Sequence, residues 1–182
     1  MLKACVLKNL FIKMFKKEIR VIGIDDSPFN KFKDKDTLIV GVVMRGGSWI
    51  DGILSTKVIV DGDDSTKKII EMINKCKFKP QLQCIFLDGI AVAGFNVVDV
   101  KELSNKTKLP VIIIIRKQPD IPQIKKTLIK IKKQEKIKLI EKAGDIVQVD
   151  DIFVQLTGID LEQTRKILKI VCTRSLIPEP LR

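Results

Sequence analysis

A chain of 182 residues with 45% hydrophobic and 31% charged residues is long enough to bury one substantial core, and its composition excludes a disordered chain. Its 34 Lys+Arg against 22 Asp+Glu leave a formal net charge of +12, so nucleic acid or an anionic membrane surface heads the list of partners. Histidine is absent, which excludes Ser-His-Asp and Cys-His triads and every His-containing zinc site, and no apolar run approaches the roughly 20 residues that span a bilayer.

Residues 1–16 alternate basic and apolar side chains and read as an N-terminal extension, a docking segment or amphipathic surface helix, ahead of a single domain over 17–182. Arg20–Asp25 is a buried strand whose carboxyl end presents Asp25 and Asp26. Thr37–Met44 is a second buried strand, closed by the turn-forming Arg45-Gly46-Gly47. Trp49–Val60 is a third, with a bulge or bend at Asp51-Gly52. Asp64 or Ser65 caps the helix that buries Ile69, Ile70, Met72 and Ile73. Leu82–Leu87 is a strand ending at Asp88-Gly89, and Asp99 caps a short helix through Lys106. Leu109–Ile115 is a continuous β-branched run of the kind covered on both faces in mid-sheet, and it ends at Arg116-Lys117. Ile124, Leu128 and Ile131 recur at helical spacing, and Ile137–Glu141 reads as a further strand. The last helix starts near Asp160, whose spacing to Gln163 makes a capping box, and buries Ile167, Leu168 and Val171. The expected architecture is a mixed-sheet α/β domain: a three-strand meander, then alternating helices and strands. Cys5, Cys76, Cys84 and Cys172 show no CxxC spacing and read as reduced core residues of a cytoplasmic protein.

Without histidine, acid–base work falls to carboxylates, lysines or metal-activated water. Three acidic clusters fall where strands end: Asp25/Asp26, Asp61/Asp63/Asp64 and Asp88. Strand ends are where α/β sheets assemble sites, and carboxylate oxygens suit Mg²⁺ or Mn²⁺. Asp25 and Asp88 follow apolar strands, where an unpaired carboxylate is costly without a cation. Asp64 and Asp99 read equally as cap residues. Arg116 and Lys117 read equally as phosphate-binding residues or as a solvated strand end, and the eight lysines between Lys125 and Lys142 face only two glutamates, so that segment tracks a phosphate backbone or is merely solvated. No GxxxxGK[ST] or GxGxxG sequence occurs, which counts against P-loop and dinucleotide sites.

IGIDDSPF, VDGDDSTKKI, IFLDGIAVAGFNVVD, LPVIIIIRKQPD and the terminal IPEPLR, in that order, resemble an archaeal family of deoxyuridine endonucleases similar to endonuclease V. The resemblance runs from Lys17 onward and implies a ribonuclease H-like fold and a Mg²⁺-dependent endonuclease for DNA carrying uracil or hypoxanthine. It implies metal ligation by Asp25 and Asp88, with Asp64 or Asp61 as a third acid in catalysis, and Arg116 near the position of an endonuclease V lysine. No tyrosine between prolines matches the strand-separating wedge of endonuclease V, and the sequence reaches Pro178-Glu179-Pro180-Leu181-Arg182 where those relatives continue toward a histidine or acid near the metals. These departures give the expectation of a shortened C-terminus, and the alternative of a nucleic-acid-binding protein on the same scaffold that does not cleave.

Overall fold

The computed structural model describes residues 18–182; the expected N-terminal extension lies outside the described residues. One seven-stranded sheet organises them. Strands β1 (Arg20–Asp26), β2 (Asp36–Arg45) and β3 (Trp49–Ile59) form the expected antiparallel meander. Arg45 ends β2 at the turn, and Asp51 is the extra residue of a bulge, because Val43 pairs with Gly52 and Met44 with Ile50. Its carboxylate ties the first two strands by ion pairs to Arg20 at 2.6 Å and Arg45 at 3.5 Å.

Helix α1 (Ser65–Lys75) then returns the chain to β4 (Leu82–Asp88), which lies parallel to β1. A small hairpin, β5 (Ala91–Val92) and β6 (Asn96–Val97), leads into α2 (Val100–Thr107) and β7 (Val111–Ile115), which is parallel to β4. The sequence expectation of a fully buried central strand holds: Val111 to Ile114 are all buried. Asp99 caps α2 through the amides of Lys101 and Glu102.

After β7 the chain forms α3 (Ile121–Lys130) and α4 (Ile137–Lys142). The strand expected at Ile137–Glu141 is therefore corrected to a helix: Lys136, Ile140 and Ala143 are buried while Lys138, which would share the face of Lys136 and Ile140 in a strand, is exposed. The hairpin β8 (Val147–Val149) and β9 (Ile152–Thr157), unassigned in the sequence reading, completes the sheet, with β9 antiparallel to β7. The order is β3-β2-β1-β4-β7-β9-β8. Helix α5 (Leu161–Val171) opens on the expected capping box of Asp160 and Gln163.

Alternation along the strands sends side chains to two cores. Ile22, Ile24, Ile85, Leu87, Val111 and Ile113 face α1 and α2. Val21, Cys84, Phe86, Ile112, Ile114 and Val154 face α5. Cys76, Cys84 and Cys172 are free thiols. Among the described residues no helix is long and apolar enough to cross a membrane.

Candidate functional site

The pairing of β1 with β4 decides what can meet. Ile24 pairs with Leu87, so the next residues along both parallel strands, Asp25 and Asp88, emerge side by side on the face covered by α5. Asp88 pairs with Ile114, and Arg116, two residues beyond on that face, closes on Asp88: Nη2 lies 2.5 Å from Oδ2. That contact holds the guanidinium firmly protonated, above its ordinary range. Arg116 Nη2 also donates to the carbonyl of Leu181 at 3.4 Å.

Leu181 belongs to a 3₁₀ turn, Glu179–Leu181, that lies against this end of the sheet. Gly23 makes the approach feasible, since a Cβ there would stand 2.5 Å from the Pro180 carbonyl oxygen. The closing IPEPLR segment is thus packed onto β1 two residues before Asp25.

Asp25 is half-buried, and its Oδ1 accepts the Asp26 amide at 2.8 Å. Its carboxyl pKa is pushed up to about 6, first by burial, then by the negative charges of Asp88 and Asp26, against the lowering effects of the Asp26 amide and Arg116. Asp25 therefore carries negative charge without enough positive compensation nearby.

The other predicted acids are placed elsewhere. Asp26, on the opposite face, accepts the Ala93 amide. Asp61 accepts the Phe95 amide at 2.7 Å and donates its own to Ala93 O at 2.8 Å. Asp64 stands at the N-cap of α1 without capping it; its Oδ1 takes the Ile59 amide at 3.1 Å and the Asn96 side-chain amide at 2.8 Å. Asp63 pairs with Lys136 at 2.6 Å, which holds its carboxyl below the ordinary range. Asp61 and Asp64, expected as a third metal or catalytic acid, both accept hydrogen bonds from the β5–β6 hairpin. Lys117 is exposed and forms no ion pair among the described residues.

Sequence reasoning missed Lys136. It is 2% exposed and donates to the carbonyls of Gly62 (2.5 Å) and Phe95 (2.7 Å), while Lys133 donates to Asp61 O. A signal existed in the spacing to Ile140, but a lysine is by habit assigned to solvent.

The donor set can be tested against a hard divalent cation. Among the described residues no group of three or more acid or thiol side chains is placed to hold a metal. A hydrated cation needs less: one or two carboxylates suffice when water and phosphate oxygens complete its shell. Asp25 and Asp88 fit that smaller requirement, and the raised Asp25 carboxyl is what such a cation would relieve. Arg116 forms its ion pair with Asp88, and its charge reaches Asp25 only as a weaker lowering effect.

Fold and site define a mixed α/β protein with a strand-end carboxylate pair, on the framework seen in endonuclease V. The Ciona intestinalis enzyme, solved in complex with a 24mer DNA containing an inosine, superposes with a TM-score of 0.57 over 92% of this chain and 83% of that one, at 20% identity, a likeness of fold. The chain belongs to the endonuclease dU family, whose model matches residues 17–182. A UPF0215 protein of Methanothermobacter thermautotrophicus is 46% identical over 181 residues, 97% of this chain and 89% of that protein. The crystal structure of a protein of unknown function from Archaeoglobus fulgidus, 36% identical, superposes with a TM-score of 0.83 over 90% of this chain and 92% of that chain.

Proposed function

We propose that this protein is a metal-dependent endonuclease that cuts DNA carrying deaminated bases, uracil or hypoxanthine, with its sheet arranged in the ribonuclease H-like manner. The observation that carries the reading is the emergence of Asp25 and Asp88 from adjacent parallel strands onto one face, with Arg116 closing on the pair. The family description, endonuclease dU, and the inosine-containing DNA held by the Ciona intestinalis neighbour support the substrate class.

Asp25 and Asp88 would hold Mg²⁺ or Mn²⁺. Bound there, the ion supplies an activated water and neutralises charge gathering on the phosphodiester. Arg116 is within reach of the same face and would hold a phosphate oxygen when released from Asp88, with Lys117 beside it. The net charge of +12 draws the polyanion to the protein.

A second reading has its own observation. Asp88 is already neutralised by Arg116, and no third acid joins the pair among the described residues, which suits a protein that binds nucleic acid without cutting it. A nicking assay on uracil-, hypoxanthine- and mismatch-containing duplexes, with Mg²⁺ or Mn²⁺, separates the two. Nicking by the parent protein, abolished in Asp25→Asn and Asp88→Asn variants that keep their circular dichroism, is the expected result. Nicking that survives either substitution would remove that acid from the site, and tight binding with no product under either metal would favour the second reading.

A further inference from the structure

We propose that the cleft between α5 and the β8–β9 turn is a nucleotide subsite, binding one 5′-phosphorylated nucleotide of the strand that reaches Asp25 and Asp88; this rests on the nuclease reading above. The cleft has a volume of about 450 Å³, inside the range of about 300–1,000 Å³ typical of small-ligand sites.

Its chemistry is divided by position. Val149, Ile152 and Leu168 make an apolar floor. Arg165 and Lys169, one helical turn apart on α5, supply two cations on one wall. Neither is in an ion pair among the described residues, whereas Lys166 between them is held by Glu162 at 2.7 Å. Asp150 stands at the turn with a left-handed backbone, φ 52°, and adds one carboxylate to the lining. That carboxylate would repel a bare phosphate. A ligand with an anion at one end, a flat apolar body and an N–H donor uses all three walls, and a nucleotide has those parts. Cys172 also lines the cleft, but burial pushes its thiol up to about 12, so it stays a neutral packing group.

Position ties the cleft to the carboxylate pair. Asp88 pairs with Ile114 and Ile114 with Val154, so Ile152, two residues along from Val154 on the same face, lies about 10 Å across and about 7 Å along the sheet from Asp88, about 12 Å in all at the usual spacings. That distance covers roughly three phosphates of a stacked strand at about 3.4 Å each. Arg116, on the strand between them, stands between the carboxylate pair and the cleft.

The test uses the full chain without metal, titrated with thymidine 5′-monophosphate, thymidine and inorganic phosphate while backbone amides are followed by NMR. The monophosphate is expected to move the amides of the β8–β9 turn and α5 at concentrations at least about tenfold below those needed for either fragment. The Arg165→Gln/Lys169→Gln double variant should lose this response, and Asp150→Asn should weaken the monophosphate without weakening phosphate. In the nicking assay the double variant should raise KM about tenfold or more with kcat unchanged. Inorganic phosphate binding as tightly as the nucleotide, shifts confined to other elements, or an unchanged KM would each overturn the subsite, and with nicking intact the nuclease reading would survive. Nucleotide binding in the cleft of a protein that never nicks would uphold the subsite and sink the nuclease.

Discussion

Asp25 is the residue at which stability and function pull apart. Its carboxyl, ordinarily near 3.8, stands at about 6 in the fold, chiefly because burial penalises the charged form. Between those values the native state keeps a proton that the unfolded chain releases, so stability falls as pH rises through the window and the deficit is complete above about 6. Asn at this position is uncharged at every pH. Asp25→Asn is therefore expected to be more stable than the parent at pH 7.5 without metal, by about 1–2 kcal/mol once solvent screening of a half-buried group is allowed for, and equal to it near pH 4. Denaturant melts at the two pH values measure this; a variant less stable at pH 7.5 would mean that the Asp25 charge is compensated in the fold. The residue was legible in the sequence because it directly follows an apolar run, where a carboxylate needs a reason. Asp61 and Asp64 were not separable from it by that logic. Whether an acid after a strand faces a ligand or a backbone amide depends on the β5–β6 hairpin, which approaches from more than thirty residues away.

Among elements, those with strong local signals were read and those defined by a distant partner were not. The meander, the buried β7 and the capped helices α2 and α5 announce themselves through apolar runs, a bulge at Asp51, and the capping residues Asp99 and Asp160. The β8–β9 hairpin is short, three and six residues, and is held by pairing to β7 across the α3–α4 excursion. Helix α4 was misread because its inward stripe begins with a lysine. Lys136 joins the α3–α4 unit to the loop at Gly62 and to the β5–β6 hairpin at Phe95, and thereby supports the loop that carries Asp61 and Asp63. Lys136→Met keeps the length but leaves those partly buried carbonyls without its donor. A loss of about 2–4 kcal/mol is expected, from about 1–3 kcal/mol for each carbonyl left unsatisfied, offset in part by the apolar replacement. Chemical denaturation checks it, and Asp63→Asn should cost much less, because Asp63 is 78% exposed. Equal losses in the two variants would place the stabilisation in the ion pair and not in the carbonyls.

At the scale of the whole molecule the charge of +12 matters only if it is arranged around the strand ends that carry Asp25 and Asp88. Helix α3 leaves the carboxyl end of β7, and α3 and α4 pack on the β5–β6 hairpin, which leaves the carboxyl end of β4. The exposed lysines of α3 and of its link to α4, Lys126, Lys130 and Lys132 among them, therefore gather toward that end of the sheet, while Lys75, Lys77 and Lys106 lie where α1 and α2 return to the starts of strands. A duplex laid across the carboxylate end would release counterions at the first set and not at the second. Each phosphate neutralised contributes about −0.9 to the slope of log affinity against log salt, so Lys126→Gln/Lys130→Gln/Lys132→Gln should flatten that slope by about 2–3. Lys75→Gln/Lys77→Gln/Lys106→Gln removes the same net charge and should leave it within about 1. Both triple variants lower the long-range field equally, so only local contact can separate them. Equal flattening would show that the positive charge acts as a diffuse field, and the end of the sheet would lose its claim as the face that meets nucleic acid.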